Sequence, residues 1–177
     1  MRGLAARALA VVLLSAGTVG VSPVPAGGAA RPVQCSSVSR EPSPLPAWTA
    51  DANPPRGIPH VLSQQRNVAA VLFGDPLTAP ARADWNNKIL WIVRAPRNGH
   101  ALRLTARPAK SATPVVRLVV PANSSPGEIY PSIVDVPEPG CWHFVLEWSG
   151  HRATINLAYQ APRTTSASPF LRRDAGR

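Results

Sequence analysis

The stretch Gly140-Cys-Trp-His-Phe-Val-Leu-Glu-Trp-Ser-Gly-His-Arg-Ala-Thr-Ile-Asn-Leu-Ala-Tyr159 constrains the fold more than any other part of the chain. Ser149-Gly150 has the chemistry of a two-residue hairpin turn, with glycine supplying the positive φ such turns need. That turn sets Trp148 opposite His151, Leu146 opposite Ala153, Phe144 opposite Ile155 and Trp142 opposite Leu157. Side chains alternate along a strand, so the tryptophans, Phe144 and Leu146 share one face with Ala153, Ile155, Leu157 and Tyr159. His143, Val145 and Glu147 share the other with Arg152, Thr154 and Asn156. A slip of one residue would put two tryptophans and a phenylalanine into water and lose the Glu147–Arg152 pair, so the register is strongly determined. The expected product is an antiparallel sheet buried on one side.

Other strands are expected at short intervals upstream: residues 68–73, 88–94, 101–107, 115–120 and 129–136. Gly-, Pro- and Asn-containing turns separate them, and β-branched residues dominate between. Lys88-Ile-Leu-Trp-Ile-Val-Arg94 is apolar on both faces, as a central strand would be. Leu102, Leu104 and Ala106 alternate with Arg103, Thr105 and Arg107, as in a half-buried strand. With the hairpin, seven short strands predict an all-β fold, an antiparallel immunoglobulin-like β-sandwich spanning residues 61–160. Residues 79–85 have room for one helical turn.

Before this domain, residues 31–60 hold many prolines and no apolar period, which predicts an extended Pro-rich N-terminal arm with no helix and little sheet. Trp48 is the arm's one large aromatic and is expected to pin it to the domain. Residues 161–177, rich in Ser, Thr, Arg and Pro, read as a disordered basic tail.

The chain opens with Arg2 and Arg7, an apolar run from Ala8 to Leu14, then small residues to Ala30. This pattern predicts a signal peptide over residues 1–30, too short in its apolar part to span a bilayer, and hence a secreted or cell-envelope protein with no transmembrane segment after its removal. A retained anchor is the alternative. Loss of residues 1–30 removes two of the 19 Lys and Arg and none of the nine Asp and Glu, taking the formal charge from +10 to +8. The arginines are scattered singly, with one adjacent pair at Arg172-Arg173, which favours a generally basic surface over a dedicated polyanion site and gives no specific nucleic-acid signal. Cys35 and Cys141, an even count in an exported chain, predict a disulfide; two free thiols or an intermolecular bridge stay open.

Two segments, Asn87-Lys88-Ile89-Leu90-Trp91 and Pro131-Ser132-Ile133-Val134-Asp135-Val136-Pro137-Glu138-Pro139-Gly140-Cys141-Trp142, resemble motifs of a family of small exported actinobacterial proteins with no assigned activity. More loosely, the Pro- and Gly-rich corner leading into the central hairpin resembles bacterial immunoglobulin-like domains. The resemblance runs from about Leu45 to Tyr159 and implies no functional residues.

Catalytic and metal chemistry find little footing. His60, His100, His143 and His151 lie at no spacing that one strand or helix would turn into a ligand pair, and the one methionine is Met1. No Gly-x-Ser-x-Gly and no glycine-rich phosphate loop occur. Cys141 and His143 are near neighbours, but half of a bridge and a solvated strand residue explain them better. Asp135 and Glu138 flank a proline corner, where carboxylates bond turn amides. No cofactor, metal site or catalytic residue is therefore expected. Two readings remain. One is a non-catalytic interaction module that binds a protein or envelope polymer, with Trp85 as the candidate partner surface. The other is a secreted hydrolase-like enzyme with an unrecognised site, which a concave pocket collecting two or more titratable groups would favour.

Overall fold

The alternation of apolar and polar residues becomes eight strands: β1 (His60–Leu62), β2 (Val68–Leu72), β3 (Lys88–Val93), β4 (Leu102–Pro108), β5 (Val116–Val120), β6 (Ile129–Ile133), β7 (Gly140–Trp148) and β8 (His151–Tyr159). They are seen in a computed structural model that describes Cys35 and residues 44–163, all within one unit, Pro32–Arg177. Residues 1–30, expected to be a signal peptide, and residues 164–177 of the expected basic tail lie outside the described residues.

The hairpin β7–β8 has the expected register from Trp148 opposite His151 to Trp142 opposite Leu157. Ser149 as well as Gly150 takes a positive φ, 44° and 77°, because a type I′ turn needs it at both central positions. The Ser149 hydroxyl meets Asn98 Nδ2 at 3.1 Å. β4 adds to the other side of β7 and β5 to β4, giving a sheet in the order β5-β4-β7-β8. The remaining strands form a second sheet, β1-β2-β3-β6. Every strand pairing is antiparallel.

The two sheets close over one core. Val68, Ala70 and Leu72 of β2 and Ile89, Trp91 and Val93 of β3 meet the apolar faces of β4, β7 and β8. Phe144 sits centrally, its ring 5.9 Å from Trp91 and 6.5 Å from Tyr159. This is the all-β antiparallel sandwich expected. Its order of strands has its own character: β2 and β3 pair within one sheet, whereas the second and third strands of an immunoglobulin domain lie in opposite sheets.

Strand β3 is apolar on both faces because its outer face is covered too. Ala69, Val71 and Ile92 are buried beneath Leu45, Trp48, Ala52 and Ile58 of the arm, so Trp48 does pin the arm to the domain. The arm is not wholly extended, however: Ala47–Ala52 is a 3-10 helix. Pro46 to Pro54 leaves a proline-free window long enough for this short helix. Thr49 donates to the Pro46 carbonyl through its N–H (2.9 Å) and its hydroxyl (2.7 Å), and Asn53 closes the helix with a left-handed φ of 43°. At its far end the arm is tied down by a disulfide between Cys35 and Cys141, Cα atoms 5.4 Å apart and 106 residues apart in sequence. A loop of that size restricts the unfolded chain by about 4.7 kcal/mol in the entropic account.

Three other expectations are corrected. β1 adds an eighth strand and starts the sandwich at His60; three residues directly after Pro59 are too few to show a period. The strand expected to reach Val136 ends at Ile133: the Val134 N–H still meets the Asn87 carbonyl in register at 3.1 Å, but Asp135 turns its carboxylate to the Asn87 side chain and Pro137 has no N–H to carry the ladder on. Residues 79–85 hold no helix but a tight turn that bridges Arg82 to Trp85, with Pro80 having no N–H to contribute.

The polar tips of the buried aromatics fasten the loops. Trp91 Nε1 donates to Ser132 Oγ (2.9 Å), Trp142 Nε1 to the Glu138 carbonyl (3.0 Å), Trp148 Nε1 to the Ala95 carbonyl (3.2 Å), and the Tyr159 and Tyr130 hydroxyls to the carbonyls of Val134 and His100 (2.8 Å each). Burial raises the pKa of both tyrosines; for Tyr159 the nearby Asp135 charge adds to the effect.

Candidate functional site

The connection between β2 and β3, residues 73–87, is the longest between described strands, and its neck is drawn tight. The Phe73 and Gly74 N–H groups both point at the Lys88 carbonyl, at 3.0 and 3.3 Å. A Cβ on Gly74 would stand 2.1 Å from the Asn86 carbonyl oxygen, so only glycine lets the two sides of the neck pass. At its base Asn87 is fully buried. Its Oδ1 accepts from the Thr78 N–H, and its Nδ2 donates to the Thr78 carbonyl and to Asp135 Oδ1, each at 2.8 Å. Further out, the Ala79 N–H donates to the Gln160 carbonyl (2.9 Å) and the Gln160 N–H to the Leu77 carbonyl (2.8 Å), which stitches the loop to the end of β8.

Trp85 rides on this anchored loop. Its side of the loop faces solvent, and it is 38% exposed where Trp91, Trp142 and Trp148 are buried. The indole is held in place by Nε1 donating to the Pro76 carbonyl at 3.1 Å. Beside it, Arg82 Nε donates to Asp84 Oδ1 at 2.8 Å and its second nitrogen to Asp84 Oδ2. This pairing holds the Asp84 carboxyl below its ordinary pKa and raises that of Arg82. Trp85, Pro76, Thr78, Arg82, Gln160 and Arg163 line a niche of about 140 Å³. That is smaller than the 300 Å³ or so at which drug-sized ligand pockets begin, yet roomy enough for a single ring or side chain projecting from a larger partner. The site offers a π face, two guanidinium groups and a carboxamide, which suit contact and hydrogen bonding. The sequence marked Trp85; Arg82, Gln160 and Arg163 joined it only through the fold, though a long proline-containing connection is itself a signal of a functional loop.

The structure keeps the four histidines apart in role. His60 is buried, its Nδ1 3.1 Å from the Ile58 carbonyl. His143 lies half-buried on the outer face, its Nδ1 2.8 Å from Asn156 Oδ1. His100 is exposed, with Nδ1 3.3 Å from the Arg97 carbonyl, and His151 lies tilted against Trp148, 5.6 Å between ring centroids. Glu147 and Arg152 are both exposed and meet at 4.0 Å. Around the β7–β8 turn, His100, Glu147 and His151 share a depression of about 420 Å³ with Arg103 and Arg152. A second hollow of about 400 Å³, between the arm and β3 and β6, holds Asp51, Arg94 and Glu128. Among the described residues no three His, Cys, Asp or Glu side chains group as metal ligands, and no helix is long and apolar enough to cross a membrane.

The two motifs behind the family resemblance meet each other in the fold, through Asn87 with Asp135 and Trp91 with Ser132. Their residues build the frame. No family model matches the chain, and no curated protein does, so the resemblance rests on those motifs alone. Among solved structures the chain is similar to one described as "Putative Lipoprotein from Bacillus anthracis", at 14% identity over 66% of this chain and 98% of that one, with a TM-score of 0.39.

Proposed function

We propose that this protein is an exported, non-catalytic interaction module of the cell envelope or extracellular space, and that it engages a protein or envelope polymer through Trp85. The observation that carries the reading is the contrast among its tryptophans. Three serve the core, Trp48 holds the arm, and Trp85 alone is held open to solvent by a fixed hydrogen bond on an anchored loop. A rigid aromatic on a preorganised surface loses little entropy on binding and is the usual anchor of an interface. The Cys35–Cys141 bridge supports an oxidising, extracytoplasmic compartment, in line with the expected signal peptide. The test is a photo-crosslinking residue placed at position 85 in the native cell, with position 56 on the arm as the comparison. A discrete adduct formed only from position 85 supports the reading; equal labelling from both positions overturns it.

A second reading, a hydrolase-like enzyme, draws on the depression that gathers His100, Glu147 and His151. It has the titratable groups such a site needs, but no hydrogen bond joins any two of the three side chains, and an acid or base is oriented by such a bond.

A further inference from the structure

The outward face of the sheet β5-β4-β7-β8 gathers arginines that the sequence scatters. Strand alternation sends Arg103, Thr105 and Arg107 of β4 outward, opposite the buried Leu102, Leu104 and Ala106. On the neighbouring β5, Arg117 stands opposite Thr105. Two residues along an antiparallel strand span about 7 Å, and adjacent strands lie about 4.8 Å apart. Arg103, Arg117 and Arg107 therefore follow one another as a shallow zigzag, one guanidinium anchor about every 7 Å along the strand direction. All three are exposed, and none has a carboxylate partner among the described residues. The one acid on this face, Glu147, is opposite Arg103 on β7 but has Arg152 on its other side, at 4.0 Å. Arg97, by contrast, is consumed by structure: it donates to the carbonyls of Ile129 (2.7 Å) and Ser125 (2.9 Å) and lies over the Tyr130 ring.

From this row we infer that the outer face of the second sheet binds a linear phosphodiester polymer along β4 and β5. Unpaired guanidinium groups fit phosphate oxygens two at a time and are less strongly hydrated than lysine ammonium groups, so they give up water readily to an anion. An evenly spaced row suits a chain with evenly spaced charges. What lies between the arginines decides against other polyanions. Thr105, Val119, Val145 and Thr154 carry no ring, and the one imidazole on this face, His143 opposite Arg107, is half-buried and bonded to Asn156, so no open aromatic face is offered to a base, which disfavours single-stranded nucleic acid. The same short side chains give nothing long enough to insert into a lipid surface. The inference is independent of the Trp85 reading, which concerns the loop at residues 73–87.

An abasic oligodeoxyribonucleotide, a phosphodiester chain without bases, is the direct probe for the full chain. It is expected to bind at about 50 mM salt, with log K falling by about 2 per decade of salt, the slope for three phosphate contacts on a single strand. The variant R103Q/R107Q/R117Q should bind at least about tenfold more weakly and lose most of that slope. The variant R56Q/R66Q/R94Q removes equal charge elsewhere and should change affinity by less than about threefold, both variants melting like the parent. Equal losses in the two variants would reduce the effect to net charge and overturn the inference. So would stronger binding to a base-bearing strand, to polygalacturonate or to anionic vesicles than to the abasic chain.

Discussion

Phe144 and Glu147 lie three residues apart on one strand and face opposite ways. Phe144 is fully buried between Trp91 and Tyr159, while Glu147 is exposed beside Arg152. Phe144→Ala should cost about 3 to 5 kcal/mol, the range for large aromatics deleted from cores. Glu147→Ala should cost under about 1 kcal/mol, as for an exposed ion pair. Denaturant melts of the two variants check the order. The tyrosines make a pH prediction. An unfolded tyrosine ionises near pH 10, whereas burial raises the folded values of Tyr130 and Tyr159. Above about pH 10 the unfolded state has lost protons that the native state keeps, so this stability is full below pH 10 and is lost as pH rises toward the folded values. Tyr159→Phe removes the bond to the Val134 carbonyl; it should be less stable at neutral pH yet show a shallower alkaline decline, read from melts between about pH 8 and 11.

At the scale of elements, the hairpin β7–β8 was legible because a two-residue turn and alternating large side chains leave one register. The apolar character of β3 on both faces likewise foretold its central place, although not that the arm would supply the second cover. Short elements were hidden. β1 has three residues, and the 3-10 helix depends on Pro46 accepting two hydrogen bonds and on Asn53 turning left-handed, local events with no period to read. The 73–87 loop was visible only through its breakers. Its closure rests on a backbone approach at Gly74 that no side-chain pattern announces. Gly74→Ala should therefore cost about 2 kcal/mol or more, as overpacking does, and should increase solvent exposure of Trp85. Thermal melts and a red shift of Trp85 emission, in a variant whose other tryptophans are replaced by phenylalanine where the fold permits, would record both effects.

At the scale of the whole molecule, two layers and one core were foreseeable from the strand count, while the sharing of strands between the sheets was not, since pairing order depends on crossovers that strand patterns do not encode. The candidate site was half legible for the same reason. Trp85 could be singled out as an aromatic in a long loop, and Arg82 sits in that same loop, but Gln160 and Arg163 come beside it from just beyond β8, far off in sequence. The arginine row on the second sheet was missed because its members are 4 and 10 residues apart along the chain and become neighbours only when β5 folds back on β4.

Under the proposed function the protein works by contact through Trp85 and not by chemistry at its exposed histidines. The measurement that decides it compares Trp85→Ala with the double variant His100→Ala/His151→Ala for native function in the producing cell, each first shown to melt like the parent. His60 and His143 are left in place, because His60 is buried and His143 is bonded to Asn156. Loss of function and of partner capture in Trp85→Ala, with the histidine variant unchanged, is the predicted result. A folded histidine variant that loses function while Trp85→Ala keeps it would contradict the account and move the site to the depression beside the β7–β8 turn.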